Sequence, residues 1–188
     1  MRRTTTDTTT DRGDWPEAVT PWGDADWRTA VEEFTTRGLA AHGLRPAPTR
    51  TVRLRPWSVL VRVATDDGSQ VWFKANPPAS LFEAGLGEAL SRLVPDHVLR
   101  PLAVDTDRGW SLLPDGGPVL REVLAGAAPE EAARTWEDLL PHYAQVQQAL
   151  TAHTDVLTGL GVPTARTTAL PELFERLLAE NAVHLAPA

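Results

Sequence analysis

The sequence predicts an α+β domain, rich in strands over its first half and helical over its second. Three observations predict this. Between residues 51 and 75, apolar residues alternate with polar ones in three short runs. From Val119 on, they recur at helical spacing instead. A single helix-like run, Leu81 to Leu93, sits among the strand-like ones. Period two fits a strand with one buried face and period 3.6 fits an amphipathic helix, and the segregation of the two is the α+β pattern.

The elements follow in order. Residues 1–14 are rich in Thr and Asp and poor in apolar side chains, and read as a disordered tail. "WPEAVTPWGDADW" then brings three tryptophans together ahead of a helix. Asp24 or Asp26 can cap that helix, Val31 and Phe34 begin its apolar stripe, and Gly43 ends it. "RPAP" reads as a linker. "TVRLR", "VLVRVAT" and "QVWFKA" form an antiparallel meander, broken by "PWS" and turned by "DDGS". "NPPAS" ends the third strand, and Ser80 starts the helix that Pro95 stops. "RPLAVDT" and "GWSLL" give a second hairpin, and "PDGGP" is a loop. Ala132, Trp136, Leu139, Leu140, Tyr143, Val146 and Leu150 mark a long helix that Pro141 is expected to kink or split. "LPELFERLLAENAVHL" begins another.

Composition narrows the function. The 188 residues suit one domain or slightly more, and 42% hydrophobic content supplies a core. A net charge of −7 argues against general affinity for nucleic acid or an anionic membrane, while leaving room for a local basic site. The chain has no cysteine, so disulfides and cysteine-held zinc are excluded, and the five histidines show no metal-ligand spacing. No run has the roughly 20 apolar residues of a membrane span, and the N-terminus lacks the apolar stretch of a secretory signal, so the expected location is the cytoplasm.

One residue stands apart. Lys74 is the only lysine, against 17 arginines. Arg is a wide planar fork, whereas Lys is a compact charge on a flexible stem, suited to a place between phosphate oxygens and a carboxylate. The alternative is a surface lysine placed by chance. At about 100° per residue, Phe82, Leu86, Ala89, Leu90 and Leu93 make one stripe of the following helix. Glu83 falls about 75° from its centre, and Glu88 nearly opposite, toward solvent. A carboxylate on that flank needs a partner or a path to water. Lys74 is the candidate partner.

The stretches "VRLRPWSVLVRVATDDGSQVWFKA", "FEAGLGEALSRLVP", "RPLAVDTDRGWSLLPDGG" and "WEDLLPHYAQVQQAL" carry a resemblance. In that order, over roughly residues 50 to 175, they resemble the aminoglycoside phosphotransferase family of protein-kinase-like small-molecule kinases. No single motif is highly specific; the order of strand lysine, helix glutamate, hairpin and Gly-rich hinge is. The resemblance implies a kinase-like N-lobe: a twisted antiparallel sheet of about five strands, with one helix between the third and fourth. It also implies that Lys74 contacts the phosphates of ATP or GTP and pairs with Glu83. Trp72, on the same strand face as Lys74, would line the adenine pocket; a plain core tryptophan is the other reading. "SLLPDGG" would be the hinge, bonding the adenine edge around Leu113 to Asp115, with any donor from a neighbour of Pro114, which has no N–H. The phosphate loop of protein kinases is glycine-rich, and here the link is "RPWSV". Ser58 is its candidate phosphate contact or simply a turn serine.

The family's catalytic loop, H-x-D-x-x-x-x-N, and its metal-binding Asp are not found. "HTDVLTGL" offers His153 and Asp155 but has Leu160 where Asn is required. The division expected is a tail over 1–14, a kinase-like N-lobe with an N-terminal helix over 15–117, and a linker with the first helices of an incomplete C-lobe over 118–188. The expected function is the nucleotide-binding part of an ATP- or GTP-dependent phosphotransferase, inactive alone, with Mg²⁺ and a small-molecule acceptor served only by a complete C-lobe. The alternatives are a non-catalytic kinase-like binding module, or an unrelated α+β domain in which Lys74–Glu83 is a structural ion pair.

Overall fold

Alternation becomes a sheet with one dry face. Val52 and Leu54, then Val59, Val61 and Val63, then Val71, Phe73 and Ala75, and finally Trp110 and Leu112 are all buried, each two residues from the next on its strand. These side chains share one face because side chains of successive strand residues point to opposite sides. The computed structural model describes residues 7–180. Its strands are β1 (Asp7–Asp11), β2 (Pro46–Arg55), β3 (Ser58–Thr65), β4 (Gln70–Ala75), β5 (Ala103–Asp105) and β6 (Trp110–Pro114). They form one six-stranded sheet in the order β1-β2-β3-β4-β6-β5. All neighbours are antiparallel except β1 and β2.

The dry face is covered by α1 (Ala25–Ala40). Asp24 caps it, its Oδ1 accepting from the N–H groups of Asp26 (2.8 Å) and Trp27 (3.3 Å), so Asp24 and not Asp26 is the cap. Val31, Phe34 and Leu39 enter the core. Phe34, Phe73, Trp27 and Trp110 meet edge to face, with centroids 5.4 to 6.1 Å apart. That geometry sets the positive ring edge against the negative face. Gly38 lets α1 approach closely: a Cβ there would lie 2.9 Å from Leu112 Cδ2 and 3.0 Å from Ala103 Cβ.

Three expectations are corrected. Residues 7–11, expected to be tail, form the edge strand β1, parallel to β2; residues 1–6 lie outside the described residues. Threonine suits strands, and Asp11 is fixed by Arg55, whose Nη2 donates to its Oδ2 at 2.8 Å. The sheet is therefore mixed, because β1, α1 and β2 make a parallel crossover ahead of the antiparallel strands. The "RPAP" stretch is not all linker: β2 already begins at Pro46, with a register shift between Pro46 and Arg50. Proline has no N–H to give to a ladder, so the first residue of a strand beside a bulge is where it fits.

The second half is helical: α3 (Leu120–Val123), α4 (Pro129–Leu150), α5 (Thr154–Gly159) and α6 (Leu170–Glu180). α4 runs through Pro141 without dividing. The carbonyl that loses its donor, on Glu137, belongs to an exposed residue, so water can satisfy it. Among the described residues, none beyond Leu112 is buried. Trp136, Leu140, Tyr143, Phe174 and Leu177 are about half exposed or more.

Candidate functional site

The site is built from the end of β4 and the start of the next helix, α2 (Phe82–Leu93). Phe73 and Ala75 point into the core, so Trp72 and Lys74 point to the open face. Lys74 stands opposite Leu60 of β3 and Ser111 of β6. α2 lies between β4 and β5 in the chain, and its first turn carries Glu83. Lys74 Nζ donates to Glu83 Oε2 in a salt bridge. Both side chains keep access to water, at 29% and 39% exposure, so a ligand can reach the ammonium without dismantling the fold. Glu88 is exposed and pairs with Arg92 one turn on, at 3.5 Å.

The face of α2 differs in detail from the sequence expectation. Its buried residues are Ala84, Gly85, Ala89 and Ser91, while Phe82, Leu86, Leu90 and Leu93 are half-buried. Small residues bring the helix close: a Cβ on Gly85 would lie 3.1 Å from Leu160 Cδ2 and 3.3 Å from Thr106 Cγ2. The turn before β6 meets the start of α2 as well. Gly109 has φ +65, and a Cβ there would lie 2.6 Å from Leu81 Cδ2. Leu81 is thereby held in place, one residue before Phe82 and two before Glu83.

Trp72 is half-buried on the open face, not a core residue. Its Nε1 donates to Asp115 Oδ1 at 3.2 Å, and Asp115 Oδ1 also accepts from the Gly117 N–H at 3.2 Å. This bond joins β4 to the loop after β6 and fixes the plane of the indole. Leu113 stands directly opposite Trp72. The backbone there is partly spent: the Asp115 N–H donates to Gln70 O (3.3 Å), and Leu112 O accepts from the Leu102 N–H (2.7 Å). By alternation, the backbone groups of Leu113 face β4 and the Pro114 carbonyl faces the other way. The free acceptor is thus Pro114 O, and the next N–H is that of Gly116, which makes no hydrogen bond among the described residues. Gly116 lies one residue beyond the Leu113 to Asp115 stretch, and the missing N–H of Pro114 together with strand alternation are the sequence signals that point to it.

Ser58 is the first residue of β3, two residues from Leu60, which stands opposite Lys74. It lines a cavity of about 350 Å³ with Pro21, Arg55, Asn76 and Pro77, to which Lys74 does not contribute. Asn76 Oδ1, in the same cavity wall, is buried without a hydrogen-bond partner. The structure therefore brings Lys74 to Glu83, and Trp72 to Leu113 and Asp115, while Ser58 lines the cavity beside Asn76. Asp155 lies in the first turn of α5. Among the described residues, no cluster of three or more His, Cys, Asp or Glu could hold a metal ion, and no helix is long and apolar enough to cross a membrane. Compared with protein-family models, with curated proteins and with solved structures, the chain matches none.

Proposed function

We propose that this chain holds the nucleotide of an ATP- or GTP-dependent small-molecule phosphotransferase of the kinase-like type. The observation that carries the reading is the Lys74–Glu83 pair, formed between the end of an inner strand and the first turn of the helix that follows it. In this reading Glu83 keeps the ammonium extended over the open face, where it meets phosphate oxygens. Trp72 offers its ring to the base, and Pro114 O with the Gly116 N–H offers one acceptor and one donor to the base edge. Ser58, at the start of β3 and two residues from Leu60, which stands opposite Lys74, would serve the phosphate end.

Mg²⁺, when bound with the nucleotide, would offset phosphate charge. No residue of this chain is assigned to hold it or to orient an acceptor hydroxyl. Phosphoryl transfer depends almost wholly on positioning and charge stabilisation, so we assign binding and not transfer to this chain by itself. The test is calorimetric titration with ATP and GTP in the presence of Mg²⁺. Saturable binding that Lys74→Ala weakens and Lys74→Arg does not fully restore supports the reading. Binding indifferent to Lys74 overturns it. ADP release that depends on an added alcohol and is abolished by Lys74→Ala overturns the assignment of binding alone.

A further inference from the structure

A second feature of the open face lies toward β1. Arg53 on β2 and Arg62 on β3 point to that face, as do Thr51, which stands opposite Arg62, and Trp72, which stands opposite it on the other side. With Arg121 of α3 they line a cavity of about 520 Å³, completed by Asp11, Arg55, Val119 and Glu122. Four arginines converge on one cavity in a chain with 25 acidic residues against 18 basic ones.

Arg55 is not available there. It is buried, donates to Asp11 O and Leu54 O through Nη1, and to Asp11 Oδ2 through Nη2. Asp11 Oδ1 is taken by the Gly13 N–H at 2.7 Å. Asp11 and Arg55 thus answer each other. Arg53, Arg62 and Arg121 are exposed and form no salt bridge among the described residues. Arg62 rests its guanidinium 5.9 Å from the Trp72 ring centroid. Against these three charges the cavity wall sets one further carboxylate, Glu122. Three like charges set against one carboxylate leave a net repulsion, and an anion relieves it.

We propose that this cavity binds the phosphate group of a ligand that also carries a planar ring. The excess of positive charge matches a phosphate monoester, which carries about −1.5 to −2 at neutral pH. Guanidinium forks match phosphate oxygens in pairs. Trp72 supplies the ring contact; with its N–H held by Asp115, what it offers is the indole face. The site uses Arg53, Arg62 and Arg121, not Lys74 or Glu83. It shares only Trp72 with the nucleotide reading and does not depend on it.

The experiment is calorimetric titration of the full chain at low salt, without Mg²⁺, using AMP, with adenosine as the phosphate-free probe. AMP is expected to bind at least about tenfold tighter than adenosine, because charge-assisted hydrogen bonds to arginine supply the difference. Arg53→Ala, Arg62→Ala and Arg121→Glu should each remove most of that difference. Arg92→Ala, elsewhere on the surface, should leave it in place, and Trp72→Leu should weaken both ligands. All the arginines changed are exposed, and circular dichroism checks that each variant is folded. Equal affinity for AMP and adenosine, no saturable AMP binding, or arginine variants that bind AMP like the parent would overturn the proposal. Loss of AMP binding on Lys74→Ala with the arginine variants intact would overturn it in favour of the Lys74 site. The reverse pattern would sustain it, and leaves the nucleotide reading to its own test with Mg²⁺ and ATP.

Discussion

Replacing Lys74 by Met separates a ligand site from a structural ion pair. At contact distance and an effective dielectric near 20, two unit charges attract by about 4 kcal/mol before costs. The costs are large here. Both side chains are about a third exposed, so water and salt screen them, and each gives up rotamer freedom to meet the other. Exposed pairs measured by double-mutant cycles net about 0.2–1 kcal/mol. Lys74→Met and Glu83→Gln should therefore each cost no more than about 1 kcal/mol of folding stability, a fall in Tm of about 2–4 °C for a chain of this size. Nucleotide affinity should fall further. A charge-assisted hydrogen bond contributes about 1.5–3 kcal/mol, so Lys74→Met should weaken Mg²⁺-ATP binding by at least about tenfold. Glu83→Gln should weaken it less, because the ammonium remains and only its orientation loosens. The assays are thermal unfolding and calorimetric titration of the same preparations. A loss of more than about 2 kcal/mol in stability with unchanged ATP affinity would refute the reasoning and make the pair structural.

Other outcomes follow from the same geometry. Asp67 sits in the turn after β3, its carboxyl lowered to about 2 by the Thr65 hydroxyl and the Ser69 N–H, which donate at 2.7 and 2.9 Å. Because its folded value lies below the unfolded one of 3.8, its contribution is complete above pH 3.8 and is lost as pH falls toward 2. NMR titration of the Asp67 carboxyl should give a midpoint near 2, and a midpoint near 3.8 would contradict this. Gly38→Ala gains helix propensity, about 1 kcal/mol, but drives a methyl into the fully buried Leu112; the net should be destabilising by about 1–2 kcal/mol, read as a lower Tm. Asp11→Asn should loosen β1: hydrogen exchange at residues 8–11 should speed up while β3 and β4 stay protected. Arg55 is the main cause lowering the Asp11 carboxyl, so the same loosening should appear in the parent chain only below about pH 4.

What was legible in the sequence was whatever a local period could encode. The alternation of β3 and β4 gave their register partners' faces, the start of α1 was narrowed to Asp24 or Asp26, its end at Ala40 falls three residues short of Gly43, and the angular position of Glu83 anticipated its pairing with Lys74. Strand β1 was not legible. Its five residues contain no apolar side chain, and its partners, Thr49 to Arg53, lie some forty positions away. Trp72 was legible only by half: alternation put it with Lys74, but which face α1 covers depends on tertiary packing. The small-residue seat of α2 was hidden for a similar reason. A stripe of large apolar residues looks like the contact face, whereas Gly85 and Ala84 make the close approach. Convergence of Arg53, Arg62 and Arg121 needs three separate elements to be folded, and no spacing in the sequence announces it.

The parallel edge strand has a consequence for how this sheet meets other chains. An uncovered strand invites a second molecule to continue the ladder, and β2, with ten residues, would be a long template. β1 occupies that margin and substitutes a row of five exposed residues that begins and ends in aspartate. A second copy docking there antiparallel would bring carboxylates of like charge together. At the opposite margin β5 is three residues long, too short to hold a foreign strand well. The sheet is thus closed to lateral growth by repulsion at one side and brevity at the other. Deleting residues 1–11 would exchange the first safeguard for a bare, arginine-bearing edge, and light scattering during mild heating should then rise earlier than in the intact chain.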